Sequence, residues 1–213
     1  MTRPAEGADE LLRRLEGAGH EVAVCPLIAI EPLGDGPVET DGYDWVVVTS
    51  RNGARELLRR HQGALPKVAA IGSGTAAVLT ASGIEADLVP RVSSQEGLLA
   101  EFPRPAGRVL FAGAEGARRL LVDALRAEFL PLYRTRLLRP NSFPSADLVL
   151  LASASAARAY GALAVETPAV AIGPQTAQAG RSVGVRVVGE ASTYDLDGLV
   201  AAVAHAGVTL GGA

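Results

Sequence analysis

The sequence has very few residues that bind metals or form disulfides: one cysteine, Cys25, and three histidines, His20, His61 and His205. A single cysteine excludes an intramolecular disulfide and any cysteine metal cluster. The three histidines lie far apart and lack the spacing of metal ligands. Cys25 lies in the apolar run 22–30, which favours a buried, inert thiol. The sequence therefore predicts neither a metal centre nor a disulfide scaffold.

Aromatic residues and net charge are also scarce. Aromatics make up 4% of the 213 residues, whereas hydrophobic residues make up 48%, which predicts a core of Ala, Val, Leu and Ile. The 20 basic residues, of which only Lys67 is a lysine, nearly balance 23 acidic ones, giving a net charge of -3. This balance argues against nucleic acid or a membrane surface as the partner.

Long apolar segments are absent as well. The chain opens with Met1-Thr2-Arg3-Pro4, without an apolar signal segment. No run approaches the roughly 20 apolar residues of a membrane span. We therefore expect a cytoplasmic protein.

What the sequence does contain is an alternation of short apolar runs and amphipathic segments. An acidic, Pro- and Gly-rich stretch at 31–42 is typical of a linker. The patterns predict helices at 8–16, 52–60, 75–81 and 95–101, and strands at 22–30, 45–49, 68–71, 87–90 and 108–111. Continuously apolar strands that alternate with helices indicate an α/β protein with parallel sheets covered on both faces.

The chain also contains an internal repeat. Four landmarks recur at offsets that drift slowly from 105 to 101 residues. They are Pro26-Leu27-Ile28 with Pro131-Leu132-Tyr133, residues 49–55 with 152–158, residues 70–76 with 171–177, and Gly97-Leu98 with Gly198-Leu199. Each copy of about 100 residues is too long for a solenoid repeat, so the sequence predicts two similar α/β halves.

Both halves place small or hydroxyl residues where a strand ends and a helix begins. The carboxyl ends of parallel strands form the ligand crevice of open α/β sheets, and helix N-termini there favour anions. The alternative is that these residues only cap their helices. No lysine follows Gly72-Ser73-Gly74, and no G-x-S-x-G elbow occurs, so the site binds and positions its ligand. The candidate binding residues are Thr49, Ser50, Asn52, Thr75, Ser153, Ser155, Gly173 and Thr176.

Taken in order, these motifs resemble the uroporphyrinogen-III synthase family across nearly the whole chain. Each motif is weak by itself, and the resemblance depends on their order and spacing. The first half carries Thr2-Arg3-Pro4, Gly19 to Val22, Pro26-Leu27-Ile28-Ala29-Ile30-Glu31-Pro32, Asp44 through Gly53, Ala70-Ile71-Gly72, Thr75-Ala76, Val89-Pro90 and Gly97-Leu98. The second half carries Tyr133-Arg134-Thr135, Ser153-Ala154-Ser155, Ala171-Ile172-Gly173-Pro174 and Thr176-Ala177.

The resemblance implies two α/β domains, each with a parallel sheet flanked by helices, joined by a two-stranded antiparallel ladder, with a cleft between the lobes. On this pattern residues 1–27 and 139–213 form a discontinuous first domain, and residues 36–129 form the second. The ladder would consist of 28–35 and 130–138.

The resemblance also implies an activity. Family members are lyases that close hydroxymethylbilane into uroporphyrinogen III, with loss of water and inversion of the last pyrrole ring, in heme and other porphyrin biosynthesis. The substrate carries eight carboxylates, which suits helix N-termini and arginines. The reaction needs no cofactor and no metal. The expected partner is this small molecule, with neither nucleic acid nor membrane, and a monomer is expected.

Two further site residues follow from the family pattern. Arg3 would line the cleft with the residues above, or would be a solvated terminal charge. Some members have a tyrosine in the helix after Ser-x-Ser that assists the loss of hydroxide. In this sequence that register falls on Ala159, and the candidate catalytic residue, Tyr160, comes one residue later. One residue is about 100° around a helix, so Tyr160 lies either in the cleft or in the core.

The chain departs from the family in two places. Members have an apolar strand before Thr-Arg-Pro, which is nearly missing ahead of Thr2. Residues 125–132 pass from helix to strand without a glycine stop. The departures keep open a non-catalytic tetrapyrrole- or carboxylate-binding module of the same family. A solute-binding protein of another family is a third hypothesis.

Overall fold

The computed structural model describes residues 1–2, 9–193 and 195–210. It divides into two compact units. Unit 1 consists of Met1–Ala29 and Arg136–Ala213, and unit 2 consists of Ile30–Thr135. The predicted division into two domains and a separate ladder stays a prediction.

Five strands form one sheet in the order β1-β5-β4-β2-β3. Its strands are β1 Ile28–Pro32, β2 Trp45–Val48, β3 Lys67–Ala70, β4 Val109–Ala114 and β5 Glu128–Leu137. β2 pairs in parallel with both β3 and β4, and β4 pairs in parallel with β5. The helices of unit 2 are α2 Arg51–Arg60, α3 Ser73–Thr80, α4 Gln95–Glu101 and α5 Leu120–Leu125.

β1 and β5 pair in the opposite sense. The amide of Leu33 donates to the carbonyl of Leu132 at 2.8 Å, and the amide of Leu138 donates to the carbonyl of Leu27 at 2.9 Å. Residue numbers increase along one strand while those of the paired residues decrease along the other, as in an antiparallel ladder. Between these bonds, Arg134 and Glu31 form an exposed ion pair at 2.9 Å.

Unit 1 contains a three-stranded parallel sheet in the order β6-β7-β8. Its strands are β6 Val149–Leu151, β7 Ala169–Ala171 and β8 Val187–Glu190. Its helices are α1 Asp9–Gly17, α6 Ala154–Gly161, α7 Pro174–Arg181 and α8 Leu196–Leu210.

The central strands of both sheets are buried on two faces, as their apolar sequences predicted. All four residues of β2 are buried. Val46 and Val48 pack into one core cluster, whereas Trp45 and Val47 pack into another. Successive side chains of a strand point to opposite faces, so β2 lies between two layers of apolar side chains. The predicted α/β class with parallel sheets is confirmed.

One predicted strand is confirmed only in part, and another is wrong. The apolar run at 22–30 forms a strand only from Ile28. Before it, the backbone bonds to Met1, whose amine donates to the carbonyl of Ala23 at 2.8 Å and whose carbonyl accepts from the amide of Cys25 at 2.9 Å. The run at 87–90 makes only an isolated parallel bridge between Leu88 and Ala69. Apolar composition indicates burial, and it does not provide the ladder partner that defines a strand.

The missing glycine stop after α5 has a local explanation. Arg126 takes the left-handed conformation with φ 51°, and its amide bonds back to the carbonyls of Val122 and Asp123. A non-glycine residue therefore makes the turn that glycine usually makes, at a cost of roughly 1 kcal/mol.

The repeated glycine makes one close backbone approach in each unit. A methyl group added at Gly97 would lie 2.1 Å from the carbonyl oxygen of Val92, and one added at Gly198 would lie 2.2 Å from that of Thr193. Gly97→Ala should destabilise the protein by about 1–3 kcal/mol, because backbone overlap outweighs the roughly 1 kcal/mol gain in helix propensity. Urea unfolding measures the change. Gly36→Ala is the control, with no atom within 4 Å, and an equal loss there would contradict the steric argument.

Candidate functional site

The predicted site residues of unit 2 lie where β2 ends and α2 begins. Ser50 is the N-cap of α2, with φ −161° and ψ 155°, and its Oγ accepts a hydrogen bond from the amide of Gly53 at 2.9 Å. Thr49 and Ser50 are both half-buried. Because β2 is buried on both faces, the place of this turn is fixed by the core.

Unit 1 repeats this turn. Ser153 caps α6 with φ −162° and ψ 155°, and its Oγ accepts from the amide of Ala156 at 3.2 Å. The next strand of each unit ends at an extended, buried glycine, Gly72 or Gly173, that precedes a helix. The sequence repeat therefore corresponds to repeated backbone geometry.

Two buried threonines lie at the second pair of helix starts. Thr75 in α3 is 4% exposed and Thr176 in α7 is 5% exposed. Both follow the extended glycine by three residues and lie in the first helical turn, where amides and the helix dipole favour anions. Their burial is consistent with packing alone as well as with a ligand role.

The two cap serines have different partners. The Oγ of Ser50 lies 2.9 Å from the Oη of Tyr133, whereas the Oγ of Ser153 lies 3.1 Å from the Oγ of Ser155. Tyr133 is 5% exposed, and burial raises the pKa of its phenol while the bond to Ser50 opposes that rise. Sequence reasoning named Ser50, Ser153 and Ser155 as site residues and missed Tyr133.

Of two further candidates from the sequence, the structure describes Asn52 but not Arg3. Asn52 is half-buried, and its Oδ1 accepts a long bond of 3.4 Å from Nη1 of Arg55, one turn along α2. Arg3 lies outside the described residues.

Tyr160 lies in the core of unit 1. It is fully buried, its ring packs 5.4 Å from that of Phe143, and its Oη donates to the carbonyl of Thr167 at 2.8 Å. The hydroxyl is therefore bonded to the backbone in this structure, and a catalytic role of Tyr160 stays a prediction. The alternative that the one-residue offset allowed, a core tyrosine, agrees with the structure.

Arg51 is a second residue that sequence reasoning missed. A methyl group added at Gly74, in the first turn of α3, would lie 2.7 Å from Nη2 and 2.8 Å from Nε of Arg51. The guanidinium therefore lies directly against the start of α3, where the helix dipole is also positive. The spacing of Arg51 and Gly74 in sequence gave no direct signal, because the contact depends on the pairing of β2 with β3.

A cavity of about 800 Å³ occurs elsewhere in unit 1. It is lined by residues of the segments 19–25 and 143–150 together with Met1, Leu15 and Val203, and by none of the predicted site residues. Within the described ranges, no three His, Cys, Asp or Glu side chains group to hold a metal ion. None of the helices seen in residues 1–2, 9–193 and 195–210 is long and apolar enough to cross a membrane.

Each unit thus presents hydroxyls and helix N-termini at the carboxyl ends of its strands, and unit 2 adds a guanidinium. Such groups bind carboxylates, since amides and hydroxyls donate hydrogen bonds and the arginine supplies charge. A family model described as uroporphyrinogen-III synthase HemD matches residues 9–201, which is most of the chain. The chain belongs to the uroporphyrinogen-III synthase family. Members of this family are cyclising lyases of tetrapyrrole biosynthesis.

Relatives and solved structures agree with this membership. The chain is similar to a uroporphyrinogen-III synthase of Synechococcus elongatus, with 28% identity over 95% of this chain and 92% of that protein. Its fold resembles a mutant uroporphyrinogen III synthase of Thermus thermophilus, with TM-score 0.66, 19% identity and 97% of each chain covered. It also resembles the Helicobacter pylori synthetase, with TM-score 0.63, 17% identity, and coverage of 88% of this chain and 95% of that one. The family and the α/β fold predicted from the sequence are confirmed.

Replacing Tyr160 tests its place in the core. Tyr160→Phe should lower the free energy of unfolding by about 1–2 kcal/mol, because the carbonyl of Thr167 loses its donor in a buried place. Urea unfolding measures this change, and the rate of bilane cyclisation should stay within about twofold of the original. Tyr43→Phe, at an exposed phenol, is the control for stability. A large loss of rate in a Tyr160→Phe protein of normal stability would show that the Tyr160 hydroxyl takes part in the reaction.

Proposed function

We propose that this chain is the enzyme that converts hydroxymethylbilane to uroporphyrinogen III. The family match over residues 9–201 carries the proposal, and the duplicated serine-capped helix starts support it. A linear tetrapyrrole with eight carboxylates needs several anion sites. The chain offers two such helix starts in each unit.

The binding roles follow from the chemistry at each strand end. In unit 2, Ser50 and Thr75 donate hydrogen bonds to substrate carboxylates and Arg51 supplies a charged fork. In unit 1, Ser153, Ser155 and Thr176 make the corresponding contacts, with the backbone at Gly173 close enough for an anion. Thr49, Asn52 and Arg3 stay predictions as further binding residues.

The reaction requires positioning more than proton transfer. The pyrrole nitrogen lone pair expels hydroxide from the terminal hydroxymethyl carbon, leaving an electrophilic azafulvene, and the hydroxide takes up a proton and leaves as water. The carbon then bonds to the substituted position of the last ring, giving a spiro intermediate. The bond between that position and the original bridge carbon then breaks, which leaves a second azafulvene on the neighbouring ring. Its bridge carbon bonds to the free α-carbon of the last ring, and loss of the proton from that carbon restores the pyrrole.

The uncatalysed closure joins the ends without inversion. The enzyme must therefore hold the azafulvene carbon closer to the substituted position of the last ring than to its free position. Fixed carboxylates hold the folded bilane in that geometry, an effect worth several powers of ten when reacting atoms are pre-aligned. Hydroxyl donors of the strand ends also stabilise the departing hydroxide. Tyr160 has no part in this scheme, because its hydroxyl is bonded in the core.

The alternative is a family member that binds a tetrapyrrole or another carboxylate without cyclising it. The same strand-end donors would serve such a module. The cytoplasmic location and the monomeric state also stay predictions.

The decisive experiment is a coupled assay. Hydroxymethylbilane is generated in situ by its deaminase, with and without this protein, and the oxidised type I and type III isomers are separated by chromatography. We expect mostly type III in the presence of the protein, because the inverting attack is favoured. Mostly type I, with circular dichroism showing a folded protein, would support the binding module instead.

Arg51 gives a test of the binding roles. Arg51→Gln should raise KM by roughly 10-fold with a smaller effect on kcat, because a carboxylate loses a charge-assisted hydrogen bond. Gly74→Ala should act in the same direction, since the added methyl group displaces the guanidinium. Steady-state rates with varied bilane measure both.

Arg59→Gln is the matched control for this test. It removes the same charge from the last turn of α2, where Arg59 pairs with Glu56 and Asp35 at the surface. Eight residues of helix separate it from Arg51 by about 12 Å. An equal rise of KM in Arg59→Gln would show a loss of general charge and would contradict a specific role for Arg51.

A further inference from the structure

Tyr133 contributes a buried hydroxyl to the strand-end region of unit 2. In the parallel pairing of β4 and β5 it lies beside Ala114, at the carboxyl end of β4. Its Oη lies 2.9 Å from the Oγ of Ser50, which follows the carboxyl end of the neighbouring strand β2. A tyrosine of β5 thus contacts the hydroxyl that caps α2.

The corresponding position in the other copy of the internal repeat carries no hydroxyl. The residue of unit 1 that corresponds to Tyr133 is Ile28, and each residue is 5% exposed. Tyr133 packs in a cluster with Ala54 of α2, and Ile28 packs in a cluster with Ala157 of α6, the equivalent helical position. An apolar side chain therefore fills the same place in the other copy.

Burying a phenol where an isoleucine would fit has a cost. A hydroxyl taken from water costs about 1–3 kcal/mol unless a hydrogen bond compensates it, and Ser50 supplies that bond. Packing alone does not explain why this position carries a hydroxyl, whereas a role at the neighbouring turn of Ser50 explains it.

The hydroxyl hydrogens of Ser50 and Tyr133 indicate what that role is. The Oγ of Ser50 accepts from the amide of Gly53 and shares one hydrogen bond with Tyr133. The two hydroxyls carry two hydrogens, and their mutual bond uses one. Among the described residues, no other side chain accepts the second hydrogen. Within residues 1–2, 9–193 and 195–210, the bonds of the pair thus leave one O–H to donate to a ligand, and the Ser50 oxygen is held from two sides.

We propose that Tyr133 is a positioning residue that fixes the Ser50 hydroxyl for a carboxylate of the tetrapyrrole. This inference rests on the proposed function and extends it, because it assigns a polar contact to β5. In unit 1 the corresponding cap, Ser153, is held by Ser155 of its own helix. The two units therefore orient equivalent cap hydroxyls by different means.

The test combines Tyr133→Phe, Ser50→Ala and the double variant. Tyr133→Phe keeps the ring and removes the hydroxyl, so we expect KM for hydroxymethylbilane to rise roughly three- to tenfold, with kcat changed less. The fraction of type III product should fall. In the double variant, KM should match that of Ser50→Ala alone, because Tyr133 acts through Ser50. Multiplying effects would overturn the proposal.

Tyr160→Phe is the matched control. It also removes one buried phenol hydrogen bond, to the carbonyl of Thr167, and should lower stability by a similar amount without changing KM. If Tyr133→Phe shows only the same loss of stability, with an unchanged KM and isomer ratio, Tyr133 is structural and the proposal is wrong.

A binding measurement separates this proposal from the proposed function. The Kd for uroporphyrinogen III is measured by equilibrium dialysis under reducing conditions. Tyr133→Phe should weaken binding by the same factor as it raises KM. If the original protein binds the tetrapyrrole but forms no type III isomer, the enzyme proposal fails while the positioning proposal is still judged by Kd. An unchanged Kd in Tyr133→Phe would overturn the latter.

Discussion

The turn from a doubly buried strand into a serine-capped helix is the constraint on which the rest of the site depends. β2 has no exposed residue, so the core fixes the place and direction of its carboxyl end. Ser50 then takes an extended conformation and its hydroxyl satisfies the amide of Gly53. The same dihedral angles recur at Ser153. Capping and ligand binding are therefore compatible roles of one side chain, since the cap uses the serine oxygen as acceptor and leaves its hydrogen to donate.

Neighbouring side chains lie close to the backbone of the turn between β3 and α3. A methyl group at Gly72 would meet the side chain of Ser93 at 2.4 Å, and one at Gly74 would meet Arg51. Glycine at these positions lets the β3–α3 turn approach its neighbours, so that the amides of α3 and the guanidinium of Arg51 act at one place. The chemistry that results is electrostatic and steric, which suits a reaction whose difficulty is the choice between two attack positions.

The sequence predicted those parts of the fold that local rules decide. The apolar run of β2 and the cap serines follow from patterns within a few residues, and the repeat at Gly97 and Gly198 follows from comparing the two halves of the chain. The predicted strand at 22–30 was wrong for most of its length, because a strand needs a partner that composition does not identify. Tyr160 was chosen as a site residue although one residue of helix rotation decides between core and site. Tyr133 was missed because its contact with Ser50 joins two segments that are distant in sequence. Which tyrosine lies beside the cap serine depends on contacts between segments that are distant in sequence.

Differences between the two copies of the repeat are more informative than their similarities. Wherever both copies need the same residue to fold, as with the cap serines and the buried threonines, folding and function cannot be separated by comparison. Where they differ, the fold tolerates both, and the difference reports on function. Arg51 corresponds to Ala154, and Gly74, against which Arg51 lies, corresponds to Gln175. The arginine and the glycine that makes room for it occur together in unit 2, and both are replaced in unit 1. Tyr133 and Ile28 form a third such pair. Unit 2 therefore has two polar groups, the guanidinium and the phenol, that have no counterpart in unit 1, and both lie beside the helix starts that follow β2 and β3.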